Sequence, residues 1–277
     1  MSDNFKLGLL CCVGKKNYGH TESFFSNLKN FPTKHELIVY SEHNWSNQWP
    51  GIYKLNASVE VAKTEKNRMA CHNLVFLAGL RIAAMKKFTH IMVLEIDCRM
   101  NVAGWDDIVW REFLSKNPNS ISGGTLVVFN PHSYNRQAAE NFETLLADSK
   151  ANRLLPIPVF GTPAAAPGQI RESNVFPVGA FSIHRMDWLL KTFPEALGTP
   201  EQYIGLAQNI KVWDYEIGTR LWAEFKENTY DHVVNLESIY SGYGNVICSE
   251  EERKQWLEEK MVVGIHQIKS DWAGPKP

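Results

Sequence analysis

The sequence predicts an α/β fold, a mostly parallel sheet with helices on its faces. One observation is residues 90–100, HIMVLEIDCRM, where Ile91, Met92, Val93, Leu94 and Ile96 form an apolar run interrupted by Glu95 and closed by Asp97. A run of that kind reads as a strand buried on both faces in the middle of a parallel sheet. The other is the first forty residues, which read strand, loop, helix, strand. That βαβ opening joins neighbouring strands in parallel through a crossover helix.

The elements follow in order. Residues 6–13 (KLGLLCCV) are apolar and stop at Gly14, as a buried first strand does. A loop over 14–21 leads to a helix expected over 22–29, whose inward face is Phe24, Phe25 and Leu28. Residues 35–40 (HELIVY) form a second strand ending at Ser41, Glu42 and His43, and residues 44–52 are turn-rich. A long helix is expected over 61–87, where Met69, His72, Asn73, Phe76, Leu80 and Ala84 recur at three- and four-residue steps. After the central strand come a helix over 104–114, a strand over 121–129 and a helix over 135–149. In that strand Gly123 and Gly124 permit a bulge.

Residues 155–170 hold four Pro and two Gly, which excludes an ordinary helix or a central strand. Such a stretch is a lid or binding loop, or equally a linker between lobes. Strand character returns over 175–183 around Gly179, followed by a short helix over 186–193. Residues 203–207 carry no decisive signal. A helix over 213–226 opens on acids and carries Ile217, Leu221 and Phe225 on one face. A short strand within 231–239, a charged helix over 250–259 and an apolar run over 261–265 complete the pattern.

A chain of 277 residues is long enough for one large α/β domain, or two small ones, around a sizeable core. Its 29 basic and 30 acidic side chains leave a formal charge of −1, so no global attraction to nucleic acid or acidic membranes operates. The five cysteines show no C-x-x-C or zinc-like spacing, and buried free thiols in a reducing compartment are expected. Residues 7–14 are too short for a signal peptide, and no small-residue cleavage site follows them. No run approaches the length of a membrane span, so a soluble, cytoplasmic protein is expected.

Two patterns bear on chemistry. Residues two apart on a strand share a face, so Glu95 and Asp97 can address one small object at the carboxyl end of the sheet, where ligands of open α/β folds bind. Two carboxylates there suit Mg²⁺ or Mn²⁺. The same pair also reads as a solvated strand end or an ion pair with Arg99. The second pattern, GKKNYGHT over 14–21, is one residue from a phosphate-binding P-loop that would use Thr21, but His20 stands where the phosphate-reaching lysine belongs. A P-loop-like NTPase is therefore the weaker alternative.

Taken together, the motifs resemble the glycosyltransferases of the GT-A class, nucleotide-sugar enzymes built on one Rossmann-like, mixed and mostly parallel sheet. Glu95-Ile96-Asp97 matches their acid-x-Asp motif after a buried strand. The helix before it, with Arg68 near its start and Gly79 and Ala83 toward its end, resembles the preceding segment of the family. Val178-Gly179-Ala180 matches the glycine-containing strand that faces the acceptor. Asp214, six residues before Arg220, aligns with the family's base, although Trp213 stands where a Glu is common, which leaves Glu216 as a rival. His266 and Lys269 match in type and position a late metal-binding His and a basic phosphate ligand.

The resemblance implies a single domain over 1–277, with a nucleotide-sugar half over about 1–130 and a catalytic half over about 131–277. It implies a Mn²⁺ or Mg²⁺ ion held by Asp97, Glu95 and His266, and a diphosphate held by Lys269 and Arg68. Val13, Glu42 and His43 fall at strand ends where base and ribose would lie. Gly179 would line the sugar site and Asp214 or Glu216 would act as base, which points to an inverting reaction. The donor implied is a nucleotide-diphosphate sugar, UDP-linked by preference. The acceptor is a hydroxyl compound, a glycan by default or a hydroxylated nucleobase. A module that binds nucleotide sugars without catalysis is the non-enzymatic alternative. Separately, His266 also reads as an ordinary core or surface histidine, Asp214 as a helix cap, and Arg68 as the partner of Glu60 or Glu65.

Overall fold

Strand and helix alternate along most of the chain, as the apolar runs require. The computed structural model describes residues 5–13, 18–41, 57–61, 68–96, 98–100, 102–116, 119–129, 174–210, 213–225, 231–236, 240–241 and 264–266. The first elements are β1 (Leu7–Val13), α1 (Tyr18–Asn30), β2 (Glu36–Ser41), β3 (Ala57–Val61), α2 (Arg68–Met85), β4 (His90–Glu95) and β5 (Cys98–Met100). Next come α3 (Trp105–Lys116), β6 (Ser122–Phe129), β7 (Asn174–Arg185), α4 (Met186–Thr192) and a 3₁₀ turn (Pro194–Leu197). The chain continues through α5 (Pro200–Asn209), α6 (Trp213–Phe225), β8 (Val233–Asn235), β9 (Tyr240–Ser241) and β10 (Gly264–His266). The stretches 44–52, 135–149, 155–170 and 250–259 lie outside the described residues.

Seven strands form one sheet in the order β3-β2-β1-β4-β7-β6-β8, and β5, β10 and β9 form a second, small one. β3, β2, β1 and β4 are mutually parallel, β7 runs antiparallel to β4 and β6, and β8 is parallel to β6. The sheet is thus mixed and mostly parallel, the class the sequence predicts. Period-two alternation sorts its side chains into two cores. Leu7, Leu9, Cys11, Met92 and Leu94 pack with Phe24, Phe25 and Leu28 of α1 and Trp105, Val109 and Phe113 of α3. Leu10, Ile38, Ile91 and Val93 pack on the other face with α2, α4, α5 and α6. Each such side chain stabilises the fold by roughly 1.5–3 kcal/mol relative to an exposed one. Gly79 is needed where α2 crosses β1, because a Cβ there would meet Leu10 Cδ1 at 2.4 Å.

Three expectations need correction. The run over 90–100 is not one strand. β4 ends at Glu95, the chain turns at Ile96, and β5 joins the small sheet. The last pair of β1 and β4 is Cys12 opposite Glu95, and from Cys98 to Met100 the chain pairs with β10 instead. Second, α2 begins at Arg68 and not at residue 61, because Val59 and Val61 belong to β3, a parallel neighbour of β2. Third, the undecided residues 203–207 lie inside α5, whose start is marked by Thr199, Pro200 and Gln202. Gln202 Oε1 accepts the Thr199 amide at 2.7 Å, one half of a capping box.

Other expectations hold with small shifts. α1 begins four residues early, at Tyr18. β6 slips register between Gly124 and Leu126, the bulge its glycines permit. β7 tolerates Pro177 because its pairing with β4 reaches only Phe181, which leaves the strand open on that edge farther out.

α2 ends in a Schellman turn. Phe88 N–H bonds Ala83 O at 3.1 Å and Lys87 N–H bonds Ala84 O at 3.0 Å, while Lys87 takes the left-handed conformation, φ 57°. A residue with a Cβ is penalised there, and exposed Lys87 meets the position where glycine is usual. Lys87→Gly is therefore expected to stabilise the protein by about 0.5–1 kcal/mol, a rise of about 2–3 °C in Tm in a thermal melt. An unchanged or lower Tm contradicts this account of the cap.

Candidate functional site

β1 is flanked by β2 on one side and β4 on the other, so the connections leaving β1 and β4 diverge at their carboxyl ends. A crevice opens at such a switch point, and ligands of open α/β sheets bind in it. The register sets Val13 beside Ser41 and Cys12 beside Glu95 at this end. Glu42, the residue after Ser41, lies outside the described residues, as do His43 and Asp97. Glu95 is half-buried, and alternation along β4 assigns it to the face of Ile91 and Val93, the face that α2 and α6 cover.

The small sheet brings the chain's last described strand to the same end. β10 runs antiparallel to β5, with His266 opposite Cys98, Ile265 opposite Arg99 and Gly264 opposite Met100. Directly opposed residues of an antiparallel ladder have Cα atoms about 4.5–5.5 Å apart. The backbone of His266 therefore lies against the residue that follows Asp97. Its side chain is outside the described residues, and so is Lys269 entirely.

Two polar side chains hold β5 from its flanks. Arg99 Nη1 donates to Ile96 O at 2.8 Å and to Cys98 O at 2.7 Å, the carbonyls on either side of Asp97. Asn27 of α1 accepts from Met100 N–H at 2.7 Å and donates to Met100 O at 2.8 Å. Neither Asn27 nor this role of Arg99 was legible in the sequence: Asn27 sits beside apolar Leu28, and Arg99 reads there only as an ion-pair partner for the acids.

The remaining candidates come from β7, α2 and α6. Gly179 is two residues beyond Phe181, the partner of Leu94, so it lies at the carboxyl end of β4. α2 carries the chain from β3 back to β4, which puts its first residue, Arg68, at the same end; the Arg68 side chain is outside the described residues. α6 opens with Trp213, Asp214 and, two residues on, Glu216, both acids half-buried. Glu216 Oε1 accepts from Arg220 Nε at 2.8 Å, and Arg220 also bonds Thr192 O and lies 4.5 Å over the Phe193 ring. Glu216 is thereby tied to a structural cation.

The start of α6 is fixed by its surroundings. Trp213 is buried, stacks on Phe76 at 4.2 Å and meets the His184 ring edge-on at 6.2 Å. Asn73 Nδ2 donates to Ala207 O and Ile210 O, each at 3.1 Å, and so ties the end of α5 to α2 just before α6 begins. His184 is fully buried between two hydroxyls, Ser122 Oγ on Nδ1 and Ser182 Oγ on Nε2, both at 2.8 Å. Burial holds its pKa down at about 3. His90, packed against Trp110 and Phe113, is lowered to about 4, first by burial and then by the Arg185 charge.

Among the described residues no group of three His, Cys, Asp or Glu side chains could hold a metal ion, and no helix is long and apolar enough to cross a membrane. Cys11 and Cys98 are buried free thiols, as expected for these apolar runs.

These features define an α/β fold whose mixed sheet has its switch point between β1 and β4. No protein-family model matches the sequence, and no curated protein does. Among solved structures the chain is similar to mouse xyloside xylosyltransferase 1 in its apo form, with a TM-score of 0.46 and 11% identity over 98% of this chain and 100% of that one.

The two buried histidines set an acid limit. Their folded pKa values lie below the unfolded value near 6.5, so below that pH the unfolded state binds protons that the native state refuses. Stability is full above about pH 6.5 and falls as pH drops toward 4, by up to about 1.4 kcal/mol per pH unit for each histidine. Urea denaturation across this window should show that slope, and His184→Gln should reduce it. A flat profile contradicts the neutral buried state.

Proposed function

We propose that this chain is a metal-dependent glycosyltransferase that moves a sugar from a nucleotide-diphosphate donor, UDP-linked by preference, to a hydroxyl acceptor, a saccharide by default. The observation that carries this reading is the pairing of β10 with β5, which sets His266 opposite Cys98 at the switch point. An acid-x-acid turn and a late histidine, remote in sequence, share one end of the sheet. That is a reason for them to work on one ligand.

The donor set fits a divalent cation of the Mn²⁺ or Mg²⁺ kind: carboxylates from Glu95 and Asp97 with an imidazole from His266. When bound, the ion neutralises charge on a departing diphosphate as a Lewis acid. Arg68 and Lys269 bind the diphosphate through charge-assisted hydrogen bonds. Val13 and Glu42, at the ends of β1 and β2, orient the base and ribose, and Gly179 lets the sugar approach the backbone of β7. Asp214 accepts the proton of the incoming hydroxyl, and it is preferred over Glu216 because it lies six residues before Arg220, as the base does in the class the chain resembles.

The test is a thermal-shift titration with UDP and UDP-sugars, with and without Mn²⁺. A native-state ligand at a hundredfold its Kd stabilises by about 2.7 kcal/mol, a rise of roughly 5–10 °C in Tm for a chain of this size. Asp97→Asn is expected to abolish the Mn²⁺-dependent part, and a full shift in that variant or in EDTA removes the metal from the scheme. In turnover, read as transfer or as slow hydrolysis of a UDP-sugar, Asp214→Asn is expected to lose about a hundred- to ten-thousand-fold while UDP binding persists. Glu216→Gln should retain activity, and loss in that variant alone moves the base by two residues. Binding without any hydrolysis or transfer supports the non-catalytic module instead.

A further inference from the structure

We infer that Arg99, together with Asn27, is a positioning residue that shapes the acidic turn before any ligand arrives. The inference rests on the functional reading above and adds residues that it does not use. One guanidinium nitrogen of Arg99 donates to the carbonyls of Ile96 and Cys98, the residues on either side of Asp97. That one permanently charged nitrogen holds the Ile96 and Cys98 carbonyls to a common point.

Asn27 supplies the second point of the clamp. Its amide matches both the N–H and the C=O of Met100, as a neighbouring strand would. β5 thus has β10 on one edge and the Asn27 amide on the other. Helix α1 is itself anchored by Phe24, Phe25 and Leu28 in the core, so the turn is referenced to the body of the sheet. Because His266 faces Cys98 across the same strand, the clamp sets the separation of the acidic turn and the histidine backbone together. Ligand-supporting contacts of this kind typically change metal affinity ten- to a hundredfold when removed.

Arg99→Met keeps a long side chain and loses the nitrogen that holds both carbonyls, while Asn27→Ala opens the other edge of β5. The measurement is Mn²⁺ titration in the presence of UDP, followed by the Mn²⁺ electron paramagnetic resonance signal, for wild type, Asp97→Asn and both variants. Hydrogen exchange of the amides of residues 96–100 is measured in the free proteins. Both variants should raise the Mn²⁺ half-saturation about tenfold or more, with faster exchange over 96–100 and cooperative melting preserved. A wild-type half-saturation retained by the folded variants, with only a lower Tm, shows a merely structural contact and overturns the inference. That result leaves the functional reading intact if Asp97→Asn has lost Mn²⁺. If wild type binds no Mn²⁺ with UDP, the functional reading and this inference fall together. Should Arg99→Met not fold, Asn27→Ala decides.

Discussion

The ladder between β1 and β4 stops at Cys12 and Glu95, and the rest of the candidate site depends on where the backbone goes after that last parallel pair. Beyond that pair the N–H and C=O groups of the chain still need partners. Here the chain turns at Ile96 and finds β10 on one side and the Asn27 amide on the other. The polypeptide's end is thereby drawn to the rim of the central sheet. A site assembled from such distant segments is as rigid as the elements beneath it, and these are buried strands and a helix in the core.

The two faces of the sheet divide the labour. On one, α1 and α3 form an apolar layer whose polar exceptions are structural, such as Asp106, which accepts from Thr33 Oγ1 and from the Lys34 amide. On the other, α2 and α6 meet through Phe76 and Trp213, and Asp214 follows directly on that buried indole. His184 beneath it is held neutral by burial and two serines.

Much of the fold was legible because the signals were local. The apolar runs at 6–13, 35–40 and 121–129 became β1, β2 and β6 with boundary shifts of one residue, and the Ile217-Leu221 stripe became the buried face of α6. The errors came where pairing, not pattern, decides. Ala57–Val61 is a strand because β2 offers an edge, and 90–100 is two strands because Cys98–Met100 pairs with β10 and not with β1. At the proposed site, the acids and the histidine could be put forward by residue type and order. The roles of Asn27, Arg99 and Asn73 could not, since each bonds backbone that only the fold brings near. The bond from Arg220 to Thr192 O was equally hidden.

The central claim is that the acidic turn and the late histidine grip one cation. The most direct measurement is a crystal structure with Mn²⁺ and UDP, with the ion located by its anomalous scattering. The account predicts one peak at the carboxyl ends of β1 and β4, with an Asp97 oxygen and a His266 nitrogen each at a bonding distance of about 2.0–2.3 Å. A peak elsewhere, or UDP bound there with His266 turned away and no ion beside Asp97, contradicts it.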